Sequence, residues 1–347
     1  MTAAVGDALL VLRRAADITQ EELAQRLGIT QAALSRYEND LREPDDAIAR
    51  SLASALGVTV GFLRHEFHMR GGVAADAHMR RQKTAKSSDW KRVEARVNQL
   101  RMHSTYLLDR APLRTQNQII RVDPDERAPE DAARMLRAAW RMPIGPIRHL
   151  VKWVESAGII VVEEDFGTHR IDGMSQWASG HAVIIINSSL ATDRKRLTLA
   201  HETGHLVLHS DHMDSEVEDQ ANAFAAEWLM PERVIAPELT NLTLGKLADL
   251  KLEWGVSMQA LFERAFRLGK ASTGERQSFY RQMSHRGWRT REPNSHLIPE
   301  ETPELAASVG LRLTASGLTE GEVRQLIGVA PGAATPFLPP SRTLRIV

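Results

Sequence analysis

The stretch Arg196-Leu-Thr-Leu-Ala-His-Glu-Thr-Gly-His-Leu-Val-Leu-His209 decides how this chain is read. His201 and His205 stand four residues apart in a segment of helical spacing. Both imidazoles therefore leave one face, about a turn apart, and can share one metal ion. Glu202 follows the first histidine. From there its carboxylate reaches a water on the metal without being a ligand, the layout of metal-assisted hydrolysis and one that a purely structural site would not require. The competing reading is a surface helix with two unrelated histidines. Leu197, Leu199, Ala200, Leu206, Val207 and Leu208 oppose it: a helix this apolar is buried, and buried polar side chains need partners, which a metal supplies. Gly204 costs helix stability, which predicts that substrate or another segment approaches closely there.

The chain has no cysteine among its 347 residues, so further ligands must be His, Asp or Glu. The next helix is the best source. At about 100° per residue, Val217, Ala221, Phe224, Ala225, Trp228 and Leu229 define its inward face. Glu218 falls within that arc, whereas Glu216, Asp219 and Glu227 fall outside it. A lone Glu on an apolar face needs a cation or a hydrogen-bond partner, so Glu218 is the expected third ligand. His209, Asp211 and His212 are the alternatives, and read more simply as exposed residues of the turn between the helices. Two imidazoles and a carboxylate with one open position suit Zn2+, while Mn2+ or Fe2+ would tolerate the same set.

Outward from these helices, Ile159 to Val162 reads as one strand and Ala182 to Ile186, closed by Asn187, as a second. Gln118 to Val122 is a candidate short strand. Helices are expected over Pro129 to Met142, from Pro146 to just before Gly158, Thr192 to His209, Glu216 to Leu229, Thr243 to Trp254 and Ser257 to Leu268. Helices, a small sheet, then helices define an α+β domain over residues 128–268.

The first 66 residues form a different unit, five short helices between residues 7 and 65. Thr19 and Glu22 have capping-box spacing at the start of the second helix. Gly28-Ile29-Thr30 makes a tight turn into the third, Gln31 to Asn39. The segments Ile18-Thr-Gln-Glu-Glu-Leu-Ala24, Leu27 to Thr30 and Ala33-Leu-Ser-Arg-Tyr-Glu-Asn39 resemble the Xre/Cro-type helix-turn-helix domain. That resemblance implies a third helix lying in the major groove of an operator, with Gln31, Ala32, Ser35 and Arg36 toward base edges and Gln20 and Asn39 near phosphates. Leu23, Ala24, Leu27, Ile29 and Leu34 are its core. The module is not basic: Asp40, Glu43, Asp45 and Asp46 follow the third helix. Phosphate contact dominates affinity for DNA, so homodimerisation or a basic linker would have to compensate. The bland alternative is a helical domain that binds protein.

Arg196 to His209, together with Glu218-Asp-Gln-Ala-Asn-Ala-Phe-Ala-Ala-Glu-Trp-Leu-Met-Pro231, resembles the ImmA/IrrE family of metallopeptidases across roughly residues 128 to 268. The resemblance implies a zincin-like α+β domain with a small sheet and an active-site helix, in a chain that is mostly helical. It implies that His201, His205 and Glu218 hold the metal, in agreement with the face argument. It also implies cleavage of helix-turn-helix repressors, relieving repression of stress or mobile-element genes. In that chemistry the metal activates a water, and Glu202 takes its proton and passes it to the leaving amine. The strand ending at Asn187 is a candidate for holding substrate by strand addition. His169 and His181 are candidates for stabilising the oxyanion, although ordinary loop histidines are the simpler reading.

Residues 67–127 read as a basic linker (Arg80, Arg81, Lys83, Lys86, Lys91, Arg92) running into a helix from Trp90 to about Leu107. In residues 269–347, Ser278 to Met283 and Thr319 to Ile327 are short helices, and the stretch with Pro331, Pro336, Pro339 and Pro340 is expected to be disordered. Thr319 to Val329 faintly resembles half of another helix-turn-helix. The formal net charge is zero, so no global field draws the chain to nucleic acid or membrane. With neither a signal peptide nor an apolar run of membrane length, a cytoplasmic protein without a membrane partner is expected. The expected function is a DNA-binding regulator that cuts a protein substrate, itself a helix-turn-helix repressor. The rival is a non-proteolytic regulator or toxin–antitoxin antitoxin whose metallopeptidase-like domain is a sensor or structural module.

Overall fold

The computed structural model describes residues 5–67, 86–178, 180–209 and 216–339. In the N-terminal module, side-chain caps set the helix boundaries. After α1 (Gly6–Ala15), the Thr19 hydroxyl accepts from the Glu22 N–H while the Glu22 carboxylate accepts from the Thr19 N–H, opening α2 (Gln20–Leu27). Thr30 caps α3 (Gln31–Glu38), Asp45 caps α4 (Asp46–Ala55) and Thr59 caps α5 (Val60–Leu63). Leu9, Leu12, Leu23, Leu34, Leu52, Phe62 and Leu63 are fully buried between them. One buried ion pair pins the start of the module to the end of α3. Arg13 Nε donates to Glu38 Oε1 at 2.5 Å, and Gln20 Nε2 donates to Glu38 Oε2 at 2.7 Å.

The remaining elements are α6 (Ser87–Leu108), α7 (Pro129–Ala139), α8 (Leu150–Ser156), β1 (Ile160–Glu164), β2 (Gly173–Ala178), β3 (His181–Asn187), α9 (Thr192–Leu208), α10 (Val217–Leu229), α11 (Glu232–Ile235), α12 (Leu244–Trp254), α13 (Met258–Arg267), α14 (Thr273–His285), α15 (Leu305–Ala315) and α16 (Glu320–Ile327). The sheet order is β1-β3-β2, with β1 parallel and β2 antiparallel to β3. β3 is central and buried on both faces, which explains its unbroken apolar run. Ala182, Ile184 and Ile186 join the core of α7, α9 and α10, whereas Val183 and Ile185 join the core of α6, α15 and α16. The layers are therefore helices, sheet, helices.

α6 is shared between units. Trp90, Val93, Val97, Leu100 and Leu107 pack in the core behind the sheet, while Met102 and Tyr106 belong to the core of the N-terminal module. His103 stacks on Phe62 with ring centroids 4.2 Å apart. The C-terminal segment closes the same junction. Val58 and Val329 form an antiparallel bridge, in which Thr59 N–H donates to Gly328 O and Ala330 N–H to Gly57 O, both at 2.9 Å. Gly328 has φ +82°, and a Cβ there would lie 2.2 Å from Phe62.

Several expectations are corrected. Gln118 to Val122 is not a strand: it is an irregular strap held by Val122 N–H to Val207 O at 2.9 Å and by Trp140 Nε1 to Gln118 O at 2.8 Å. The helix expected from Pro146 starts four residues later, because His149 is left-handed at φ 56°. The helix seen as Ser278 to Met283 runs over Thr273–His285, opened by a Ser272–Glu275 capping box. The proline-rich stretch is ordered through residue 339, with Phe337 fully buried. Residues 340–347, most of the basic linker, and Asp211 and His212 lie outside the described residues. β3 is not an edge strand, so it offers no edge for strand addition. The edge beside α9 is β2, a strand not expected from the sequence.

Candidate metal centre

α9 is anchored before its histidines begin. Buried Arg196 donates from Nε to Gly255 O at 2.9 Å and from Nη2 to Ile147 O at 2.5 Å, and it pairs with Glu301. One turn on, Leu199, Ala200, Leu206, Val207 and Leu208 are buried, as their spacing predicts. Gly204 lets α10 approach: a Cβ there would lie 2.9 Å from Phe224 Cδ1. The close approach anticipated at Gly204 is thus made by another segment of the chain.

That approach brings Glu218, in the first turn of α10, onto the two histidines. His201 Nε2 lies 3.0 Å from His205 Nε2, and Glu218 carboxylate oxygens lie 3.5 Å from His201 Nε2 and 3.4 Å from His205 Nε2. One donor atom from each of the three falls within 4.8 Å of the others, and among the described residues this is the one such group of His and acidic side chains. The fit to a divalent cation is good on donor chemistry. Two imidazole nitrogens and a carboxylate converge on one point, a donor set that a divalent cation takes. Burial lowers the His201 pKa, but hydrogen bonding to Glu218, the charges of Glu202 and Glu218 and the bond to Asn222 outweigh it, so the net shift is upward. His201 Nδ1 faces Asn222 Oδ1 at 3.1 Å, which directs Nε2 into the cluster.

Glu202 is buried beside the cluster but is not one of its three donor residues. The Ser175 hydroxyl, from β2, lies 2.7 Å from Glu202 Oε2 and 3.2 Å from its backbone oxygen. β2 runs along α9 in step. Gly173 abuts Thr198 and Glu202, Ser175 meets Glu202, and Trp177 Nε1 donates to Leu206 O at 3.2 Å. Two strand residues advance about 6.7 Å and four helix residues about 6 Å, so successive inward β2 side chains meet successive turns. Ser175 was missed in the sequence. Its only signal is the alternation Gly173, Ser175, Trp177 against Met174, Gln176, Ala178, which the polar Gln176 on the buried face obscures.

Other expected residues lie elsewhere. His209 contacts His205 from behind, through Nδ1 at 3.0 Å, and is not one of the three donor residues. His169 faces Ser189 Oγ at 3.1 Å, and His181 begins β3, paired with Ala178 in the hairpin; neither belongs to the cluster. Glu227, placed on the outward arc of its helix, is buried instead and pairs with Arg264 and Arg134. In the N-terminal module Gln31, Ala32, Arg36 and Asn39 are exposed, with Gln20 and Ser35 half-buried. Gln20 is engaged by Glu38, and Asn39 Nδ2 donates to Ser35 O at 2.7 Å. Asp40 and Asp45 are structural: one accepts the Gly6 N–H at 2.8 Å, the other caps α4.

Comparison with known proteins places both units. Residues 154–266 match the IrrE N-terminal-like domain family, and residues 10–63 match the helix-turn-helix family. The chain therefore carries a helix-turn-helix domain followed by a region similar to the IrrE N-terminal-like domain, in a mostly helical fold with a three-stranded sheet. It is similar to the radiation response metalloprotease IrrE of Deinococcus radiodurans, at 40% identity over 87 residues. That match covers 20% of this chain and spans 26% of the relative's length. No helix among the described residues is long and apolar enough to cross a membrane.

Proposed function

We propose that this protein is a DNA-binding regulator with metal-dependent endopeptidase activity. The observation that carries the reading is the convergence of His201, His205 and Glu218 beside Glu202, whose carboxylate is held by Ser175. His201, His205 and Glu218 hold one divalent cation, Zn2+ by the donor set, with Mn2+ or Fe2+ compatible. When bound, the cation supplies a water of lowered pKa and a Lewis acid for the scissile carbonyl. Glu202 accepts the proton at its carboxylate and returns it to the leaving amine. The Ser175 hydroxyl donates to Oε2 and fixes the carboxylate rotamer. An extended substrate adds to the outer edge of β2, where its backbone runs beside the catalytic helix.

The substrate is a helix-turn-helix repressor, brought close by operator DNA that the N-terminal domain reads with Gln31, Ala32, Ser35 and Arg36. Gln20 and Asn39 stand toward the phosphates, and homodimerisation offsets the acidic surface that follows α3. The test is a Glu202→Gln variant of the full chain, co-expressed with each Xre/Cro-type repressor of the host and read by fragment mass. Retained metal and operator binding with loss of repressor fragments supports the reading. Equal behaviour of wild type and variant favours a regulator whose second domain is a sensor.

A further inference from the structure

His205 is oriented by a second ring that stands outside the ligand group. We propose that His209 and Gln220 form a relay that fixes the tautomer of His205 and keeps its Nε2 bare for the cation. The inference rests on the metal reading above and deepens it.

The argument follows the hydrogens. His209 Nε2 lies 2.8 Å from Gln220 Oε1. An amide oxygen only accepts, so His209 carries its ring hydrogen on Nε2. A neutral imidazole has one such hydrogen, which leaves His209 Nδ1 as a lone pair. That Nδ1 lies 3.0 Å from His205 Nδ1, so the hydrogen between them belongs to His205. His205 then presents a bare Nε2, on the side where His201 Nε2 lies at 3.0 Å and Glu218 Oε1 at 3.4 Å. No charge is required at any step.

The backbone holds the two rings in register, with His209 N–H donating to His205 O at 2.9 Å where α9 ends. Asn222 does the equivalent for His201 in a single step, through Oδ1 at 3.1 Å from Nδ1. Gln220, Asn222 and the ligand Glu218 all belong to α10. The helix that supplies the third ligand thus also sets the proton positions of the first two. Outer partners of ligating histidines commonly change metal affinity by about 10- to 100-fold. His209 and Gln220 are positioning residues of that kind.

Zinc affinity of the full chain, measured by competition with a chromophoric chelator, tests this. His209→Asn keeps an oxygen near the position of Nδ1 and is expected to bind zinc close to the wild-type affinity. His209→Leu has similar bulk but no acceptor, and is expected to bind about 10- to 100-fold more weakly. Gln220→Lys puts a donor opposite His209 Nε2 and reverses the relay, with a loss of similar size. Gln220→Glu keeps an acceptor and is expected to retain affinity. Equal zinc affinity across all four variants overturns the proposal. So does a loss for His209→Asn as large as that for His209→Leu or larger, since a merely space-filling role would spare the bulkier leucine. Should His209→Leu fail to fold, the half-buried position 220 decides through its Lys and Glu variants. Wild-type protein that binds no zinc overturns the metal reading itself. That result is distinct from failure here, in which wild type binds zinc and the variants match it.

Discussion

Two polar clusters grow from α9, one buried and one partly so. Near its start, Lys251 Nζ lies 2.6 Å from Asp193, 2.8 Å from Glu292 and 2.9 Å from Ser295 Oγ, all within a fully buried setting for the lysine. Glu292 also accepts the N–H groups of Met258 and Gln259 at the start of α13, at 2.7 and 3.1 Å. One ammonium faces two carboxylates, and the Ser295 hydroxyl and two backbone N–H groups supply further donors, so the cluster is closed and serves the fold. Two turns along, His201, His205 and Glu218 bring three donor atoms within 4.8 Å of one another, a set that could hold a metal ion and is open to one in that sense. Ionisable residues and at least partial burial are common to both. What separates them is donor chemistry: an ammonium and carboxylates neutralise one another, whereas two imidazoles and a carboxylate are a set that a divalent cation takes.

The comparison can be broken most forcefully at Lys251. Lys251→Met leaves two buried carboxylates without their cation, and is expected to cost about 3–5 kcal/mol in urea unfolding. His201→Ala in metal-free protein should cost far less. A Lys251→Met protein as stable as wild type would show that the first cluster is not closed.

His103 is a third case, buried and held neutral. Its pKa is pushed down to about 4, chiefly by burial, which outweighs its bond to Ile327 O. Because the folded pKa lies below the unfolded value near 6.5, the unfolded chain binds the extra proton between the two. Stability is therefore intact above about pH 6.5 and falls as pH drops toward 4, by up to about 3 kcal/mol at 1.36 kcal/mol per unit. His103→Phe keeps the stack on Phe62 and should flatten that slope in pH-dependent melting. An unchanged slope would remove His103 as its source.

Gly204→Val sharpens the contrast from beneath the open cluster. The new side chain meets Phe224, so overpacking should cost about 1–3 kcal/mol. It should also weaken zinc binding by moving Glu218 away from the histidines, while the cluster at Lys251 is untouched. Loss of stability with unchanged zinc affinity would show that the Gly204–Phe224 contact does not set the ligand spacing.

The open cluster was legible in the sequence because its determinants are local and periodic: His201 and His205 one turn apart, and Glu218 on an apolar arc. The capping box at Thr19 and Glu22 is likewise local. The rest depends on partners distant in sequence. Gln176 interrupts the pattern that would reveal β2, so neither Ser175 nor the central place of β3 could be inferred. Glu227 looks exposed on a helical wheel, because its partner Arg264 lies 37 residues away. α6 looked like the end of a linker because it is buried on more than one side and lacks a single apolar stripe. Phe337 gave no sign of order within its prolines, since its pocket is built by α6, α15 and α16.

The most direct test of the central claim is metal content of the purified full chain, measured for wild type, His201→Ala, Glu218→Ala and Glu202→Gln after incubation with zinc and dialysis. The account predicts about one tightly held ion per chain in wild type and Glu202→Gln, and none in the other two, all four being folded. Wild type without metal, or an ion retained when His201 or Glu218 is removed, would contradict it.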